Sequence, residues 1–234
     1  MSYNYSQYVT DLANLLVVPP TDPNFLIVLP NIIDDSEQRI YRELDLLSTI
    51  FRDSSGTLTA NSRNFTFPQH FVVSESINVY TPASSTTNRN QLVPTTREFL
   101  DAVWPNEAAL STPSVPQYYA MITDQTIIVG PPPDANYTME VIGTIRPAPL
   151  SASNTTTYLT LYLPDLFMAA SMIFGAGYQQ NFSAMGDNPQ QALAWEDHYQ
   201  KLFASANTEE NRKKYASQAW TPKQPAPLAT PPRV

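Results

Sequence analysis

The chain has 234 residues, 42% of them apolar, with 22 prolines against 6 glycines, no cysteine and a formal net charge of −8. The absent thiols exclude disulfides, thiolate zinc sites and cysteine nucleophiles. The acidic balance disfavours tight nucleic-acid binding by the body of the chain, because phosphate contacts need Lys and Arg.

No run reaches the roughly 20 apolar residues that span a bilayer. The opening residues, Met1 to Tyr8, show neither the basic nor the apolar region of a secretory signal, so the expectation is a soluble product made in a cytoplasm. Residues 4–18 read as a short helix with Tyr5, Tyr8, Leu12, Leu15 and Leu16 on one face, stopped by Pro19 and Pro20. Thr21-Asp22-Pro23 is a helix start, a polar cap followed by Pro in the first turn. Phe25, Leu29, Ile32, Ile33, Ser36, Ile40, Leu44, Leu47 and Phe51 then recur at spacings of three and four. They predict one amphipathic helix, kinked or begun at Pro30. Its other face carries Asp34, Asp35, Glu37, Arg39, Arg42, Glu43 and Asp45.

Asp53-Ser-Ser-Gly56 reads as a turn, and the pattern then changes. Residues 65–67, 71–80, 118–122, 126–129 and 137–145 predict strands, with Asp124 and Gln125 in the turn of a hairpin. One helix, Arg97–Trp104, is inserted behind the cap Thr95-Thr96, and Gly130–Asp134 is a rigid loop. The helical period returns at Leu163, where Pro164-Asp165 opens a helix to about Phe182. A second begins near Pro189 and carries Trp195, Tyr199, Leu202 and Phe203 to about Ala206, with Glu209 and Lys213 at helical spacing beyond it.

The expected fold is therefore α+β. Helices at the two ends (1–56 and 151–206) form a bundle around an inserted, mostly antiparallel β module (57–150), and an extended Pro-rich arm (207–234) follows. Six of the 13 basic residues lie after residue 200, namely Lys201, Arg212, Lys213, Lys214, Lys223 and Arg233, against only Glu209 and Glu210. A basic, Pro-rich string cannot continue a helix, but it lies extended on another surface at low entropic cost. The candidate docking residues are Lys213, Lys214, Trp220, Pro222, Lys223, Pro225, Leu228 and Arg233.

Signals for chemistry are weak. His70 and His198 have no metal-ligand spacing, and neither a nucleophile elbow nor a phosphate loop occurs. Neighbouring carboxylates, Asp34-Asp35, Glu196-Asp197 and Glu209-Glu210, point in different directions on a helix and read as solvated faces. No catalytic residue, metal ligand or cofactor site is expected.

Several stretches in order carry a resemblance: Leu29–Ile33 leading into Glu37–Leu46; Phe67-Pro68 before Val72–Tyr80, with Arg97–Pro105; Val115–Met121, a hairpin, and Val129–Val141; and Pro149–Ser151 before Leu161–Leu166. Together they resemble the adaptor proteins of tailed-bacteriophage head–tail connectors. The likeness is closest to those of short-tailed phages, similar in role to the tail tubular proteins of T7-like phages. The resemblance implies a virion protein without enzyme activity or cofactor. It implies a ring, typically dodecameric, assembled in the host cytoplasm and seated under the portal protein. Tail or nozzle proteins bind below, DNA passes through without specific binding, and the C-terminal arm reaches along the portal. Two other classes remain open. One is a tail or baseplate component that binds host glycans in an aromatic groove near Trp104, Tyr118 and Tyr119. The other is a wall-degrading hydrolase, which needs two close carboxylates in a cleft.

Overall fold

A computed structural model describes residues 3–105, 113–180 and 189–216, with the backbone alone for 178–180, 189–192 and 216. The first helix, α1 (Tyr5–Leu15), opens on a reciprocal cap. Asn4 accepts the Gln7 N–H at 2.8 Å, and the Gln7 side chain accepts the Asn4 N–H at 3.1 Å. Tyr8, Val9, Leu12, Ala13 and Leu16 are buried, whereas Leu15, expected inward, is 44% exposed.

The second helix, α2 (Pro23–Glu43), is capped by Asp22, which accepts the N–H groups of Asn24 and Phe25. Pro30 neither starts nor stops it. Pro30 and Leu26 both lie on the exposed side, where water can serve the Leu26 carbonyl that Pro30 leaves without a donor. The helix ends at Glu43, although its apolar period runs on to Phe51. Leu44 turns extended, Leu47–Thr49 form one 3₁₀ turn, and Phe51 enters a strand.

That strand, β1 (Ile50–Leu58), runs antiparallel to β8 (Tyr137–Ile145). Pairing overrides the expected turn at Asp53–Gly56, which becomes a shift in register within the strand. The other strands are β2 (Asn64–Thr66), β3 (Phe71–Thr81), β4 (Asn88–Gln91), β5 (Val93–Pro94), β6 (Tyr118–Met121) and β7 (Thr126–Gly130), with α3 (Arg97–Val103) between β5 and β6. They form two sheets, ordered β1-β8-β3-β4 and β2-β7-β6-β5. All pairings are antiparallel except β5 with β6. Both sheets feed one apolar cluster that includes Leu58, Phe65, Ile77, Val79, Ile127, Val129, Met139 and Val141. Gly143 is required where β8 meets β3, because a Cβ there would run into the Val73 carbonyl oxygen.

Three helices complete the chain: α4 (Tyr158–Tyr162), absent from the sequence reading, α5 (Pro164–Gln180) and α6 (Pro189–Ala216). A second apolar cluster draws on α1, α2, α4, α5 and α6. Within it the Tyr8 ring stacks on Phe167 with centroids 4.5 Å apart. The Tyr8 hydroxyl lies 2.7 Å from Ser171 Oγ, Ser171 donates to Ser36 Oγ at 3.2 Å, and Ser36 donates to the Ile32 carbonyl at 2.5 Å. This chain of hydroxyls joins α1, α5 and α2.

The linker that leaves β8 is fastened by Glu37, whose two carboxylate oxygens accept the Leu150 N–H at 3.2 and 3.3 Å. Glu37 is buried. Burial pushes its pKa up to about 7, although the Leu150 hydrogen bond pulls the other way. The folded chain thus holds this proton more tightly than the unfolded chain. The Glu37 contribution to stability is complete below pH 4.5 and is lost as the pH rises through about 7. Going from below to above that window, Glu37→Gln should gain about 3 kcal/mol on the unsubstituted chain, read by urea unfolding at each pH. Parallel stability curves would contradict the burial of an ionisable carboxyl here.

Candidate partner-docking site

The docking residues expected from sequence begin at the end of α6, so the attachment of that helix decides what they can do. In its first third, Glu196 receives Arg39 of α2 through two hydrogen bonds of 2.6 and 2.8 Å. The Arg39 guanidinium lies 4.2 Å from the centre of the Tyr199 ring, and the Tyr199 hydroxyl donates to Glu43 at 2.7 Å. The Arg39 hydrogen bond, outweighing desolvation, holds the Glu196 pKa below the usual carboxylate range.

Near the end of α6, Glu210 is 2% exposed and accepts from three donors: the Leu47 N–H at 3.2 Å, the Tyr158 hydroxyl at 3.0 Å and Lys213 Nζ at 2.7 Å. Burial alone would raise its pKa; Lys213, Leu47 and Tyr158 together lower it. Lys213 also reaches Glu209 at 2.8 Å and the Tyr158 hydroxyl at 2.8 Å, and Lys214 pairs with Asp45. The end of α6 is thereby pinned to both α4 and the 3₁₀ turn before β1.

Residues 207–216 are therefore helical, which corrects the expectation of an extended arm starting at 207. The pairing of Glu209 and Glu210 with Lys213 at helical spacing supplies the reason. Of the candidate docking residues, Lys213 and Lys214 sit on this helix in contacts within the subunit. Trp220, Pro222, Lys223, Pro225, Leu228 and Arg233 lie outside the described residues. Asp45, the partner of Lys214, borders a cleft of about 340 Å³ lined by Tyr41, Arg42, Leu44, Val72, Val73 and Ile145. It opens between the end of α2 and the end of the β3–β8 pair, next to Lys214 of α6.

Two carboxylate pairs differ from the solvated faces expected of them. Glu196 is bound by Arg39 and Glu210 is buried, while their neighbours Asp197 and Glu209 stay on the surface and pair with Lys201 and Lys213. The aromatic groove weighed for glycans is split by the alternation of β6. Tyr118 faces Trp104 and Phe99, whereas Tyr119 packs toward the core shared by the two sheets. Among the described residues no group of three His, Asp or Glu could hold a metal ion, and no helix is long and apolar enough to cross a membrane.

This helix-anchored α+β chain is of the structural adaptor class, a phage head–tail adaptor. The chain belongs to the SU10 adaptor protein family, whose sequence model matches residues 3–225. No curated protein matches it. The role makes the chain a virion component and implies interaction with portal and tail proteins. The finer likeness to T7-like adaptors rests on the sequence resemblance alone.

Glu210→Ala takes the shared acceptor from the Leu47 N–H and the Tyr158 hydroxyl, while Lys213 keeps Glu209, and should destabilise the fold by about 2 kcal/mol. Lys214→Ala, whose partner Asp45 is 80% exposed, should change stability by less than about 1 kcal/mol. Thermal unfolding of both variants checks this; equal effects would mean that Glu210 does not hold the end of α6.

Proposed function

We propose that the chain is one subunit of a homo-oligomeric ring, dodecameric as the family resemblance implies, that docks beneath the portal and links it to the tail machinery. The ring is assembled in the host cytoplasm and leaves a channel for the genome during ejection. The family match across residues 3–225 carries this reading. The acidic body supports it from another side, because a net charge of −8 surrounds passing DNA without gripping its phosphates.

The portal contact is assigned to the segment that follows α6. Its first two candidate cations, Lys213 and Lys214, are engaged within the subunit. The docking charges are thus narrowed to Lys223 and Arg233, with Trp220 and Leu228 as apolar anchors on either side of the prolines Pro222 and Pro225. Each arm binds weakly, and repetition around a ring supplies avidity. Pinning through Glu210 gives every arm a fixed point of departure.

Deleting residues 218–234 should abolish association with the portal ring, read by mass photometry, while the thermal midpoint stays that of the full chain. Undiminished association would refute the assignment of the arm.

A further inference from the structure

The sheet β1-β8-β3-β4 turns Ile77, Val79, Met139 and Val141 toward the inter-sheet core, so their neighbours in each strand face away from it. On that outward face stands Glu140 of β8, whose side chain is nonetheless 0% exposed. One of its oxygens accepts from Arg52 Nε of β1 and from the Tyr80 hydroxyl of β3 at 2.6 Å. The other accepts from Asn78 Nδ2 at 3.1 Å and is ion-paired with Arg89 Nε of β4 at 2.6 Å. Burial would raise its pKa, but Tyr80, Arg52 and Arg89 together hold it below the usual carboxylate range, so it is charged.

Two cations share one carboxylate, which leaves a surplus positive charge on a chain of net charge −8. Both arginines reach Glu140 through Nε. Arg52 also donates through Nη2 to the Tyr80 hydroxyl at 2.6 Å. Arg52 Nη1 and both terminal nitrogens of Arg89 have no partner among the described residues. The two side chains are 59% and 44% exposed. A cluster that served stability alone would not need the second cation, and buried ion pairs yield little net stability in any case. Glu140 instead acts as a strut that orients two guanidinium groups outward with donors to spare, the geometry that grips a carboxylate in a bidentate fashion.

We propose that Arg52 and Arg89 form a docking site for carboxylates of a second copy of this chain, supplied by Asp34 and Asp35 of α2. This rests on the reading of the chain as a self-associating subunit. Asp35 is exposed, Asp34 beside it is half-buried and accepts from Gln38 Nε2 at 2.7 Å, neither has a cationic partner among the described residues, and the charges are complementary. A sheet face on one copy that meets a helix face on the next is a heterologous contact, the kind that closes into a ring. DNA phosphate would also suit two arginines, but the acidic body opposes it.

The test is self-association of the full chain by sedimentation equilibrium, alone and with the portal ring. Arg52→Gln/Arg89→Gln/Glu140→Gln removes cations and carboxylate together, so no buried charge is left alone. Asp34→Asn/Asp35→Asn changes only α2 and decides the matter if the triple variant fails to fold by circular dichroism. Each should weaken self-association by about tenfold or more, and added salt should weaken the unsubstituted chain. Folded variants that associate as tightly as the unsubstituted chain overturn the inference and leave the ring reading intact. A chain that stays monomeric even with the portal overturns both. Loss of binding to a short DNA duplex in the triple variant, with self-association unchanged, overturns it in favour of a phosphate partner.

Discussion

The first half of helix α5 has almost no surface to give to water. Leu166, Phe167, Met168, Ala169, Ala170, Ser171 and Met172 are all buried in succession, so the helix must be covered on several sides at once. The chain meets this constraint by closing its two ends: α1 and α2 approach from the start, α4 and α6 from the finish. The β module is the long excursion between them, with its own core, so neither half has to stabilise the other's interior. The polar exceptions on this helical core, Tyr8, Ser171 and Ser36, form a closed run of hydrogen bonds and fix the register of three helices, which apolar contact alone leaves free to slide.

Three buried carboxylates occupy the joints of this arrangement. Glu37 fastens the chain as it returns from β8, Glu210 fastens the end of α6 to the 3₁₀ turn ahead of β1, and Glu140 of β8 ties its strand to β1, β3 and β4 across a sheet. The first accepts backbone N–H from the linker and its proton affinity rises. The other two gather cations and hydroxyls and their proton affinity falls. Desolvation dominates at Glu37, whereas at Glu140 and Glu210 the cations and hydroxyls gathered around the carboxylate together outweigh it.

Much of the fold was legible because long periodic segments carry their own signal. The strands 71–81 and 137–145 and the helices α1, α2 and α5 follow from periods of two and 3.6. What was missed has specific causes. Asp53-Ser-Ser-Gly56 has every local mark of a turn, yet β8 pulls it into β1. Asn88–Gln91 is polar and wholly exposed, and becomes a strand only because β3 offers it an edge. Glu209 and Glu210 look alike in sequence, but neighbours on a helix point about 100° apart, so one meets solvent and the other three donors. The Glu209–Lys213 spacing already carried a helical signal there, but the engagement of Lys213 and Lys214 within the chain was not legible, because Tyr158 and Asp45 lie far away along the sequence.

In the proposed assembly the rigidity of the α6 terminus matters as much as the chemistry of the arm. A short, weakly binding segment gains avidity only when its neighbours present theirs at the matching spacing. That spacing is set by where each helix ends. A frayed last turn would spread the departure points, dilute the effective concentration of each arm and lose the gain of repetition. Glu210 prevents this by placing a charged group where three donors from α4, α6 and the 3₁₀ turn converge. The cost of burying that charge is offset by the hydrogen bonds themselves, so the net gain in stability is small. The gain in geometry is large, because the last turns of the helix have one seat rather than many.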